Sequence, residues 1–194
     1  MTLQRKTPLR AKSTLQRKNS LKSKPKSKQE KYEISDIKKI TKHADDKKKH
    51  IDELDKVFQF YIRLRDSRSD GFCQCISCGN FVPFSKIQAG HFRSRVHMST
   101  RWNELNVNGE CATCNLEMRN GDHLLDYRHN LVKKIGEKKV QWIEAYCKET
   151  RKWSDFELTI MIKEYCKKCL ALSKQKGIPI STTVQRIIKK YSKL

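Results

Sequence analysis

Cys75-Ile-Ser-Cys78 and Cys111-Ala-Thr-Cys114 are two CxxC pairs with thirty-two residues between them. Two thiolate pairs close a tetrahedral zinc site and leave no coordination position for a substrate. The spacing therefore predicts a structural zinc held by Cys75, Cys78, Cys111 and Cys114. The alternative is that one pair is incidental. Gly79 and Asn115, which follow the two pairs, suit the tight turn of a zinc knuckle. Cys73 is then a spare thiol, because four ligands are already supplied. Cys166 and Cys169 form a third CxxC, but inside a strongly periodic stretch where both lie on one helical face, so packing is the reading there. Cys147 could join them as a third thiol at most.

A closed zinc site performs no chemistry, so the chemistry must lie between the pairs, in QAGHFRSRVHMSTRWNELNVNGEC. His91 sits there beside Arg93 and Arg95. A histidine suits general-base work because its unperturbed pKa lies near neutral pH. His97 is a rival for that role. Arg93, Arg95 and Arg101 are candidate phosphate clamps, since a guanidinium matches phosphate geometry; the competing reading is exposed charge on a basic protein. Phe92 and Trp102 could stack on unpaired bases, although aromatic residues in a small metal domain more often form its core.

These residues need elements to hold them. Ile51, Leu54, Phe58, Tyr61 and Ile62 recur at three and four residues, widened by Val57 and Leu64, which predicts a helix from about Asp45 to Asp66. SRSDGF, 67–72, is a turn signal. Residues 73–115 are short, polar and irregular, the kind of segment that metal holds together. Leu124, Leu125, Tyr127, Leu131, Val132 and Ile135 make one helical set ending near Gly136, and Val140, Ile143 and Tyr146 make another. Ser154 with Glu157 forms a possible capping box that opens a helix to about Lys174, stopped by Gly177 and Pro179. A basic helix over about 182–192 carries Val184, Ile187, Ile188 and Tyr191.

Basic residues outnumber acidic ones 43 to 21, for a net charge of +22. That excess calls for a polyanion: nucleic acid first, an anionic membrane second. No run of eighteen or more apolar residues exists, which argues against a membrane span, and no apolar segment follows the basic N-terminus as a secretory signal would. The eight cysteines therefore fit metal in a reducing cytoplasm better than disulfides. Residues 1–28 hold ten Lys or Arg and no Asp or Glu, with Pro8 and Pro25. Such a segment buries too little apolar surface to offset its ordering entropy. The expected organisation is a disordered basic arm over 1–44, a zinc-stapled domain with its leading helix over 45–150, and a helical region over 151–194.

His91, then Asn106 five residues before the second CxxC, then Asn115 directly after it, resemble the HNH or ββα-metal nuclease motif. The form CATCN, with Asn rather than His in the third position, is similar to phage endonuclease VII. FYIRLRD, CISCG, AGHFRSR, RWNELNVNGECATCN and NGD, in that order over roughly 58–150, resemble the phage recombination-protein family NinG, also called Rap. The resemblance implies an α+β fold, with a small zinc-stapled ββα-metal (HNH-like) core flanked by helices. It implies a Mg²⁺-dependent, structure-specific endonuclease acting on branched recombination intermediates such as Holliday junctions and D-loops. His91 would be the base, Asn106 would hold a backbone carbonyl that orients it, and Asn115 would hold Mg²⁺, because an amide oxygen suits a hard cation. One departure is Gly90: many HNH nucleases carry a metal-binding Asp or His there. Glu117, Asn120, Asp122 and His123 are possible helpers. Two symmetric cuts imply a homodimer, with the helices after residue 123 as the expected interface; an intramolecular helical subdomain is the competing use of those faces. The implied setting is cytoplasmic, in the bacterial host if phage-encoded. The rival functions are an HNH enzyme that cuts duplex DNA and a non-catalytic zinc module that binds DNA.

Overall fold

From residue 28 to residue 66 the sequence contains neither glycine nor proline, so nothing breaks a helix once it has started. In the computed structural model, which describes residues 28–192, helix α1 occupies Lys28–Asp66. It ends at the expected residue but starts ahead of Asp45, so the expected boundary at 44 is not an element boundary. The rest of the expected arm, residues 1–27, lies outside the described residues. The chain falls into two units, residues 1–40 and 41–194. Every described strand and both apolar clusters belong to the second unit.

After α1 come two antiparallel hairpins. Strands β1 (Phe72–Gln74) and β2 (Phe81–Pro83) pair with Phe72 opposite Pro83 and Gln74 opposite Phe81. Strands β3 (Gln88–His91) and β4 (Val107–Glu110) pair with Gln88 opposite Glu110 and His91 opposite Val107. Helix α2 (Ala112–Glu117) follows β4 and runs into a short 3₁₀ turn, Met118–Asn120. Helices α3 (Leu124–Ile135) and α4 (Glu137–Tyr146) meet at Gly136, whose φ of 88° is a conformation that only glycine adopts without strain. The expected capping box is present at helix α5 (Asp155–Lys176): the Ser154 hydroxyl accepts from the Glu157 N–H, and the Glu157 carboxylate accepts from the Ser154 N–H. Gly177 caps its far end, and helix α6 (Thr182–Tyr191) completes the described chain.

Two apolar clusters hold these elements. In the larger, Leu54, Phe58 and Ile62 of α1 pack with Leu158 and Ile162 of α5 and with Val184 and Ile187 of α6. Removal of each such side chain from water contributes about 1.5–3 kcal/mol. The expected division at residue 150 therefore does not separate two cores. In the smaller, Tyr127 and Leu131 of α3 and Val140 and Ile143 of α4 enclose Phe92. Much of the apolar face expected at a dimer interface packs within the chain, while Leu125 and Trp142 of these two helices stay exposed. Phe92 and Trp102, 3% and 5% exposed, are core residues rather than stacking platforms. Cys166 and Cys169 also lie in the larger cluster, on α5.

Candidate functional site

The first cysteine pair sits in the turn between β1 and β2, closed by the Gly79 N–H donating to the Cys75 carbonyl, with Gly79 at φ 76°. The second pair opens α2. Cys111 is its N-cap, and its sulfur accepts from the Cys114 N–H at 3.5 Å. The Cys111 N–H in turn donates to the Cys75 sulfur at 3.3 Å. Backbone donors aimed at sulfur favour thiolate. The four sulfurs lie within 4.8 Å of one another, and a tetrahedral zinc needs them roughly 3.8 Å apart. The cluster can hold a metal such as zinc, and an all-sulfur donor set suits soft or borderline metals of that kind. Bound there, the ion would tie the β1–β2 hairpin to the start of α2. Cys73 stands apart, its thiol directed to the Arg63 carbonyl, as do Cys147, near the Glu144 carbonyl, and Cys169, near that of Val57.

His91 ends β3, and Asn115 lies one turn into α2. Both line a groove of about 850 Å³, together with Gln88, Arg93, Arg95 and His97 and with Gln59 and Arg63 from α1. The His91 Nε2 lies 3.0 Å from the Arg101 carbonyl. A carbonyl can only accept, so Nε2 carries the proton and Nδ1 is left as a base. Burial holds the His91 pKa below the usual histidine value, which keeps the ring neutral at pH 7. Asn106, fully buried, accepts from the Arg93 N–H and donates to the carbonyls of Arg93 and Thr100. It thus pins the loop whose next residue, Arg101, orients His91. The Asn115 amide donates to the Gln88 side chain at 2.6 Å, and its oxygen has no bond among the described residues.

The three expected clamps part ways. Arg95 is exposed on the groove, with no ion pair among the described residues. Arg93 lines the groove but pairs with Glu144 at 2.8 Å. Arg101 is held bidentately by Asp55, at 3.0 and 2.5 Å, and does not line the groove. The possible helpers Glu117 and His123 bond each other at 2.8 Å and, like Asp122, are not among the groove's lining residues. The Asn120 side chain is exposed and, like those, does not line the groove. Sequence reading missed Gln88, Gln59, Arg63 and Asp55. The last three were hidden in a helix read only for its apolar face.

Gly90 has a cause in the neighbouring strand. A Cβ there would stand 2.0 Å from Glu110 Oε2 and 2.8 Å from Glu110 Cβ. Glu110 is fully buried, its other oxygen accepting from the Ser77 hydroxyl. The room that a ligand side chain at position 90 would need is filled by this glutamate. Gly90→Ala should therefore destabilise the protein by about 1–3 kcal/mol, and much less in a Glu110→Gly background, which removes the Cβ as well as the carboxylate. Urea denaturation of the two single variants and the double variant measures the coupling, and strictly additive effects would refute it.

The chain matches the family model described as Bacteriophage Lambda NinG protein over residues 2–175. No curated protein and no solved structure matches it. The match takes in both cysteine pairs, the His91 hairpin, helices α1 to α4 and all but the last residue of α5, and because it spans most of the sequence the chain belongs to the NinG family.

Proposed function

We propose that the chain is a structure-specific DNA endonuclease that cuts branched recombination intermediates, such as Holliday junctions and D-loops, by metal-assisted phosphodiester hydrolysis. Membership of the NinG family suggests a phage recombination-related function. The observation that carries the nuclease reading is His91: a neutral ring, oriented through Nε2, with Nδ1 left as a base in a groove that also contains Asn115. The order hairpin β3–β4 then helix α2 supports an HNH-like reading of the core. The net charge of +22 supports DNA as the partner.

In this reading His91 Nδ1 takes a proton from the water that attacks the phosphorus. The imidazolium formed is stabilised by the Arg101 carbonyl on the opposite nitrogen. Arg95 and Arg93 hold phosphate oxygens at the groove wall, while Arg101 acts with Asp55 to fix the loop behind His91. The Asn115 amide oxygen would hold Mg²⁺, which when bound supplies charge stabilisation at the phosphate and at the leaving 3′-oxygen. Paired cuts across a four-way junction call for two copies of the site, so a homodimer is part of the proposal. The setting proposed is cytoplasmic; no described helix is long and apolar enough to cross a membrane.

The test is strand cleavage of an end-labelled four-way junction against a linear duplex of the same sequence, in Mg²⁺. Junction-selective nicking is the expected result. Equal cutting of the duplex at one sequence would point to a duplex-cutting HNH enzyme. Tight junction binding with no cleavage in Mg²⁺ or Mn²⁺ would leave a zinc module that only binds DNA.

A further inference from the structure

Among the described residues, the partly buried arginines pair with carboxylates, with one exception. Arg65 bonds Asp66, Arg93 bonds Glu144, Arg101 bonds Asp55, and Arg128 bonds Glu137 and Glu144. Arg63, on α1 and lining the His91 groove, pairs with no carboxylate among the described residues. Its guanidinium lies over the Phe84 ring at 4.5 Å and near the Phe60 ring at 6.0 Å. One nitrogen, Nη2, donates to the Phe84 carbonyl at 2.6 Å. Nε is buried without a partner, and Nη1 has no bond among the described residues. Burial lowers the Arg63 pKa from the usual arginine value.

A half-buried cation with no counter-ion costs stability. Two aromatic faces and a carbonyl nevertheless hold this one in a single orientation at the wall of a groove. Pre-organisation of that kind lowers the entropy lost when an anion arrives, and with Nη2 on the Phe84 carbonyl it leaves Nη1 as a charge-assisted donor for a phosphate oxygen. We propose that Arg63 is a fixed phosphodiester-binding subsite on the α1 side of the groove. The inference rests on the nuclease reading for the source of the phosphate, and it names a contact which that reading does not use. Of the groove arginines, Arg95 is exposed and unfixed and Arg93 is already neutralised by Glu144, so Arg63 is the fixed, uncompensated charge.

The test compares wild type, Arg63→Met and Arg63→Lys. Affinity for a four-way junction is measured by fluorescence anisotropy in Ca²⁺ across a salt series, beside zinc content and melting temperature. Arg63→Met should keep its zinc, melt within a few degrees of wild type and bind about tenfold more weakly. Its slope of log affinity against log salt should be shallower by about 0.9, one released counter-ion. Arg63→Lys should restore the slope but not the full affinity. Wild-type affinity and slope in Arg63→Met would overturn the proposal, as would loss of zinc or a large fall in melting temperature, because the arginine would then be holding the fold. A second arm uses inorganic pyrophosphate, which should raise the melting temperature of wild type and not of Arg63→Met. If wild type bound no DNA, the nuclease reading would fail and this arm would decide the subsite: an Arg63-dependent rise would uphold it, and equal responses would overturn it.

Discussion

His91→Ala is expected to lower junction cleavage by about 10²–10⁴-fold, the range a positioned general base contributes, with zinc content and junction affinity unchanged. The selectivity follows from the geometry. The His91 side chain makes one hydrogen bond, Nε2–H to the Arg101 carbonyl, and belongs to neither apolar cluster nor the cysteine quartet, so its truncation leaves those in place. His97→Ala in the same groove should retain most of the activity; if it abolished cleavage while His91→Ala did not, the assignment of the base would be wrong. The pH profile adds a sign. Burial holds the His91 pKa below its usual value, against the raising effect of the Arg101 carbonyl. The base form is the neutral ring, so the rate should climb as pH rises through that depressed value and be flat by neutrality. Stability shifts the same way. The folded pKa lies below the unfolded value of about 6.5, so the contribution of the buried neutral ring is present above that value and lost as pH falls through it toward the folded pKa. NMR titration of the ring nitrogens checks both statements; a midpoint above the unfolded value would contradict them.

Cys111→Ser is expected to have the larger structural effect. Structural zinc in small domains has an apparent binding free energy of about 10–16 kcal/mol, as large as the whole stability of a typical domain, roughly 5–15 kcal/mol. The variant keeps the backbone N–H that donates to the Cys75 sulfur and a hydroxyl able to cap α2, so what it loses is the fourth thiolate of the ligand set. The variant should retain less than one zinc per chain, melt far below wild type and lose cleavage, with or without added Mg²⁺. Cys73→Ala, which removes a buried thiol outside the cluster, should keep a full equivalent of zinc. Metal analysis beside thermal melts separates the two. A Cys111→Ser protein with wild-type zinc and melting temperature would show that the cysteine quartet does not staple the hairpin to the helix.

The sequence by itself determined the local features, because each is set by neighbours a few residues apart. The cysteine quartet follows from CxxC spacing. The ends of α1, α3 and α5 follow from the last periodic residue and from Gly136, Gly177 and the Ser154–Glu157 box. Membership of the NinG family was legible in ordered short motifs, and the family match over residues 2–175 bears it out. Tertiary structure alone decided the rest, because it depends on which side chains meet across long separations. Apolar periodicity says that a face is buried but not by what: the helices after residue 123 pack on Phe92 and α1. The same limit hid the partners of the charged groups. Asp55 lies 46 residues from the Arg101 that it holds, and Glu144 lies 51 from Arg93. Gly90 reads in one dimension as a missing ligand; in three it is the space that Glu110 occupies from the adjacent strand. Arg63 was invisible as a site residue for that reason too, since only the folded chain turns α1 against the groove and leaves this partly buried cation without a carboxylate among the described residues.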